Sequence, residues 1–180
     1  MDFLVGLIAL AYFLVISLAT KQHFASEKYP LGMYVISILS LLGIATFLAH
    51  AFIWGLSNTL VPLLLMLVAF GLFIWAVRHS AKRNLSLAFD EQSRVDDIIT
   101  NGPWKYVRHP FYESYAIFWF ACALGTLHPT SFAVFVTLLF IYGYSAIREE
   151  GLLKQGPYGE KYLEYQRHAG FVFPKITARQ

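Results

Sequence analysis

Cys122 is the only cysteine in this 180-residue chain, and it falls inside an apolar run, so neither a disulfide framework nor a thiolate metal site can be built from it. Charge is just as scarce. Asp, Glu, Lys and Arg make up 14% of the residues against 57% hydrophobic, too little polar surface to coat a soluble globule of this size. Also missing are G-x-G-x-x-G, G-x-x-x-x-G-K-[ST], C-x-x-C and H-x-x-x-H, which leaves soluble nucleotide-binding folds and metal hydrolases without support. No internal repeat, low-complexity tract or second domain is visible. The net charge of +3 needs no nucleic acid to explain it, because basic residues on one face are what a membrane protein carries.

What the chain has in plenty is apolar sequence, in runs at 3–20, 31–54, 59–77, 114–127 and 130–147. Most approach the roughly 20 residues that cross about 30 Å of hydrocarbon. The fourth is short, and it borrows Phe111, Tyr112 and Glu113 as its first turn. The first has no basic region before it and no small-x-small site after it, so it reads as a retained helix rather than a signal peptide. Five crossings put 21–30, 78–112 and the tail after 147 on one side, and all 14 Lys and Arg residues fall there. The positive-inside rule makes that side cytoplasmic and places the N-terminus outside. The expected fold is all-α: a polytopic membrane protein of about five helices, the last two forming a hairpin around His128-Pro129, with a C-terminal interfacial helix. Residues 1–77 form a three-helix scaffold and 102–174 the hairpin and its cap, within one integral membrane domain. Gly32, Gly43, Gly55 and Gly71 read as packing positions, and His50 as an interfacial histidine at the outer side.

Two short polar stretches hold nearly all the chemically capable residues. The first contains Trp104, Tyr106, Arg108, His109, Pro110 and Tyr112, with stacking faces, a fixed guanidinium and an imidazole close together. Pro110 bars helical angles at its predecessor, which makes His109 the residue just ahead of the fourth helix. An interfacial aromatic belt explains the same composition equally well. The second stretch follows the fifth run with Arg148, Glu149 and Glu150. Acids at a helix C-terminus beside lipid call for a cation; either Lys154 pairs with Glu150 at i, i+4, with Gly156 ending the helix, or a cationic ligand does. Tyr158, Tyr162 and Tyr165 then share one face of a short helix, which either anchors the tail or roofs a pocket over the hairpin.

At these residues the chain resembles the isoprenylcysteine carboxyl methyltransferase and phospholipid methyltransferase superfamily of integral membrane enzymes. The resemblance rests on Gly102-Pro103-Trp104, Val107-Arg108-His109-Pro110-Phe111-Tyr112, Glu149-Glu150 and Tyr158-Gly159-Glu160 with Tyr162 and Tyr165, and Pro174 near the end. It implies S-adenosylmethionine as methyl donor and a lipophilic or membrane-embedded acceptor. Carried over by position, Asp97, Ile98, Ile99 and Trp104 line the cofactor site, His109 to Tyr112 contact it, and Glu150 faces its positive charge. Arg108 suits its carboxylate, and Glu113, one turn past His109, is the candidate base for an acceptor that must lose a proton. Departures are Glu113-Ser114 where a small residue is usual, Gly170 to Pro174 in place of Arg-x-x-Pro, and Ala146 where close relatives have an arginine for prenylcysteine. Arg148 is the nearest replacement. Two rivals stand beside this reading: an NADPH-dependent sterol-type membrane reductase, and a non-enzymatic membrane scaffold.

Overall fold

The computed structural model describes residues 1–25, 31–80, 85–86 and 98–175, and side chains within 1–20, 31–80 and 98–175. Asp97, Lys82, Arg83 and the surface segment expected at 90–97 lie outside the described residues. Helix α1 spans Asp2–His23 and α2 Leu31–Ala49, continued by a π-helical turn His50–Trp54. After α3, Leu60–Ser80, a 3₁₀ turn at Gly102–Lys105 leads into α4, Pro110–Thr126, α5, Pro129–Gln155, and α6, Gly159–His168. A two-residue parallel pairing of Phe24–Ala25 (β1) with Leu85–Ser86 (β2) joins two connections. The architecture is thus an all-α polytopic membrane fold.

Among the described residues four helices, α1, α2 with its π turn, α3 and α5, are long and apolar enough to cross a membrane. The fourth run does borrow residues 111–113 as expected, yet α4 still has only 17 residues, about 25 Å at 1.5 Å per residue. It runs antiparallel to α3 from Phe111 beside Phe73 to Gly125 beside Pro62, so the hairpin does return its second polar stretch to the first. Leu127 adopts a left-handed conformation (φ 50°) to end α4. His128 then caps α5 by accepting the Thr130 amide, with Pro129 in the first turn.

Proline and glycine set the ends of the other elements. Pro110 opens α4 with His109 outside helical space at φ −127°, ψ 59°, as the X-Pro restriction requires. Gly102 sits at φ +59° with the His79 ring where a Cβ would stand, so only glycine lets the chain after α3 turn against that helix. Gly156 is the C-cap of α5. That helix runs two turns beyond the expected end of the apolar run and carries Arg148, Glu149 and Glu150 within it. Of the packing glycines, Gly43 receives the Trp119 indole, whereas Gly71 has nothing within 4 Å.

The two ends of the bundle are distinct. One gathers Asp2, which accepts the Leu56 amide at 2.9 Å, Ser57, whose amide donates to Gly125 O at 2.8 Å, and His50, 5.2 Å ring to ring from His128. The other gathers the start of α4, the end of α5 and α6. Between them lies an aromatic core in which Tyr12 bonds Ser114 at 2.6 Å and packs edge-on against Phe118 at 4.8 Å.

Candidate active site

Arg108 and His109 reach the end of α5 because the chain around them is tied down twice. Val107 forms a bridge with Gly170, and the Arg108 amide donates to Gly170 O at 2.8 Å while Gly170 N donates to Tyr106 O at 2.9 Å. A Cβ on Gly170 would run into the Phe173 carbonyl, so the strap after α6 depends on glycine there. Phe171 then stands 5.0 Å from the His109 ring and 5.5 Å from the Arg108 guanidinium.

Glu150 is the knot of this arrangement. Its Oε1 accepts from Arg108 Nε at 2.7 Å and from His109 Nε2 at 3.0 Å. Its Oε2 accepts from Gln166 Nε2 on α6 at 2.8 Å, with Lys154 Nζ at 3.8 Å. Arg108 donates a second bond, from Nη1 to Ala169 O at 2.7 Å. The Arg108 and Glu150 side chains are 8% and 7% exposed, so each ion depends on the other for what water would have supplied. Glu150, expected to face a ligand's positive charge, is engaged by three protein donors. The Lys154 pairing is present as its outermost contact.

Glu149 differs in every respect. It continues the interior stripe of α5 formed by Leu138, Tyr142 and Ser145, at i+11, i+7 and i+4. Its side chain is 40% exposed, and among the described residues its nearest cationic or imidazole partner is His109 Nδ1 at 3.9 Å, beyond hydrogen-bond reach. Tyr112 lies within electrostatic reach of Glu149, stacked between His109 at 5.7 Å and Tyr142 at 5.6 Å.

The third component is the inner face of α6. Tyr165 donates to Trp104 O at 2.7 Å, and Tyr162 is buried near Glu150, its hydroxyl lacking any hydrogen bond of acceptable geometry. Burial, with the Glu150 carboxylate adding to it, pushes the Tyr162 phenol well above its ordinary range. It stays an O–H donor without an acceptor. Tyr158 is the N-cap residue of α6 rather than part of its face. Of the tyrosine stripe, Tyr162 and Tyr165 turn inward as the pocket-roof alternative requires.

The remaining sequence candidates divide between core and rim. Ile98, Ile99 and Trp104 are buried, the indole edge-on to Phe111 at 5.7 Å, and Pro110 is fully buried. Tyr106 is 49% exposed, its ring 6.0 Å from Trp75. Glu113 is half-buried and shares the face of α4 that carries Ile117 and exposed Phe120, about 100° around the helix from Tyr112. Arg148, half-buried, lies roughly 200° around α5 from Glu150. Gln166, Ala169, Gly170 and Phe171 were not anticipated. A signal for Gln166 existed in its position one residue from Tyr165, but no local pattern distinguishes it from a surface glutamine. Among the described residues no group of three or more His, Cys, Asp or Glu is placed to hold a metal ion.

The family model described as phospholipid methyltransferase matches residues 57–161, from the α2–α3 connection into α6. This chain belongs to the phospholipid methyltransferase family. The match covers α3, the hairpin and both glutamates, so the geometry above is that of a membrane methyltransferase with a lipid or lipophilic substrate. That membership sets methyl transfer ahead of the reductase and scaffold readings. No curated protein and no solved structure matches the chain.

Proposed function

We propose that the protein transfers a methyl group from S-adenosylmethionine to a membrane-embedded acceptor at the cytoplasmic end of the bundle. The observation that carries this reading is Glu149, a carboxylate on the interior stripe of α5 that forms no ion pair within hydrogen-bond reach among the described residues. The cofactor's ammonium and sulfonium are opposite in charge to this carboxylate, and the aromatic faces of Tyr112 and His109 suit a cation. The orphaned Tyr162 hydroxyl is a second polar atom in want of a partner. Ile98, Ile99 and Trp104 offer an apolar wall, with Asp97 immediately before them in sequence. Pro110, Tyr106 and Tyr158 border the region.

Bound there, S-adenosylmethionine supplies an electrophilic methyl carbon on sulfur. The chain's own residues then hold and orient: Glu149 fixes the cationic portion, and Glu150 with Gln166 holds Arg108 and His109 in place. Excluding water does the rest, since alignment and desolvation dominate a direct displacement. Arg108 acts through the position of its neighbours and its remaining N–H groups, and Arg148 serves an anionic group of the acceptor at the membrane surface. Glu113 is a base to test for acceptors approaching along the outer face of α4. The one-sided distribution of all 14 Lys and Arg residues supports the cytoplasmic orientation.

Calorimetry tests the reading. Wild-type protein in detergent binds S-adenosylmethionine, and Glu149→Gln weakens it about 10- to 100-fold, the worth of a charge-assisted interaction. Unchanged affinity in that variant defeats the assignment of Glu149.

A further inference from the structure

We infer that the outward face of α3, with the 3₁₀ turn beside it, is a docking surface for an anionic phospholipid of the cytoplasmic leaflet, in the orientation proposed above and apart from the methyl-transfer site. Leu64, Leu67, Val68, Gly71, Trp75 and Arg78 stand at i, i+3, i+4, i+7, i+11 and i+14 and are all exposed. They therefore form one stripe on a single helix face, about 21 Å long at 1.5 Å per residue. Gly71 is the notch in it. The sequence makes Gly71 a packing position, yet nothing stands within 4 Å of where its Cβ would be. A glycine in mid-helix weakens the helix, and here no protein contact offsets that. The gap it leaves between Val68 and Trp75 has the width for an acyl chain lying along α3.

At the cytoplasmic end the stripe meets ring edges and cations. Trp75, 40% exposed, lies 6.0 Å ring to ring from the exposed Tyr106. Both side chains put an apolar body toward hydrocarbon and an N–H or O–H toward headgroups. Arg78 follows Trp75 by three residues and Lys105 directly precedes Tyr106, both exposed. Neither 60–80 nor 98–109 contains an Asp or Glu, and among the described residues no carboxylate pairs with Arg78 or Lys105. A headgroup with net negative charge gains from two such cations, and a zwitterionic one gains less. The donors stand at the end of an apolar stripe, which makes the occupant a lipid and not a free phosphate.

The turn that carries Lys105 and Tyr106 also holds the strap after α6. His79 donates from Nδ1 to Trp75 O at 2.9 Å, and its ring fills the space beside Gly102, so the turn follows α3. On its other side, Tyr106 O accepts the Gly170 amide at 2.9 Å and Trp104 O accepts the Tyr165 hydroxyl at 2.7 Å. A lipid that steadies Trp75 and Tyr106 steadies α6 and the strap as well.

The test titrates full-length protein in detergent with dioleoyl phosphatidylglycerol or dioleoyl phosphatidylcholine and reads bound lipid by native mass spectrometry. S-adenosylmethionine is absent throughout, so failure of the methyl-transfer reading does not alter the result. Wild-type protein binds the glycerol lipid more tightly. Replacing both cations, Arg78→Gln with Lys105→Gln, weakens it about 10- to 30-fold, the worth of two basic residues at an anionic surface. Arg167→Gln on the outer side of α6 leaves it unchanged. Gly71→Leu fills the notch and weakens binding several-fold, with a melting temperature no lower than wild type. Phosphatidylglycerol also slows hydrogen exchange at the Arg108 and Gly170 amides, and does not do so in the double variant. Equal binding of both lipids by the wild type overturns the inference, as do equal losses in Arg167→Gln and the double variant. A Gly71→Leu protein with wild-type affinity overturns it too, since no chain then lies in the notch. Bound lipid without slowed exchange overturns the link to the strap.

Discussion

Both ends of the bundle bury polar side chains, but they use them differently. At the far end, side chains mostly satisfy backbone groups: Asp2 takes the Leu56 amide, His128 the Thr130 amide, and Ser57 and Thr126 donate to carbonyls. At the site end, side chains from three elements satisfy one another. Arg108, His109, Glu150 and Gln166 come from α4's leading segment, α5 and α6, and Glu149 and the Tyr162 hydroxyl are left over. Polar groups that close helix ends can be complete without a ligand. A network in which a carboxylate and a hydroxyl have no hydrogen bond among the described residues has room for one.

Removing one member of the knot should have the largest effect on that contrast. Arg108→Ala leaves Glu150 buried and uncompensated, a loss of about 3–5 kcal/mol, read as a collapse of the melting transition in detergent. Glu149→Gln, one residue away, should keep wild-type stability while losing the methyl donor. If both variants melt alike, the division of labour between the two glutamates is broken. Next comes Gly170→Ala, where the added methyl meets the Phe173 carbonyl. Overpacking of this kind costs roughly 1–3 kcal/mol, and hydrogen exchange should rise selectively in α6 and at the Arg108 amide. At the far end, His128→Ala removes a side-chain cap, worth about 0.5–2 kcal/mol, and calorimetry should find donor affinity unaltered. The smallest change belongs to Glu113→Gln, within about 0.5 kcal/mol for a half-buried position outside any described ion pair. A lowered methylation rate in that variant, with normal donor binding, would support Glu113 as the base on α4's outer face.

Much of the scaffold was legible because it depends on local quantities. The runs at 3–20, 31–54 and 59–77 anticipate α1, α2 and α3 to within a few residues, since transfer free energy accumulates along a single segment. Pro110 and Gly156 marked the start of α4 and the end of α5 through their own backbone restrictions. Arg148, Glu149 and Glu150 look like departure from the membrane, but the alternative in which the helix continues to Gly156, with Lys154 beside Glu150, is the one observed. Helical hydrogen bonding carries α5 through them to Gln155. With that continuation, helix phase aligns Glu149 with Tyr142 and Ser145; without it, the two glutamates look equivalent.

Sequence alone determined that this chain is a helical membrane protein and that its polar residues cluster in two stretches flanking the last hairpin, because hydropathy, charge asymmetry and proline geometry act within a few residues. Only tertiary structure decided which glutamate is consumed by Arg108 and which stays open, that Gln166 completes the knot, and that the 169–171 strap holds His109. Those choices hinge on partners as far apart in sequence as Tyr106 and Gly170, brought together by helix packing. A burial penalty is relieved by whichever group arrives in space, and the order of residues along the chain does not record that arrival.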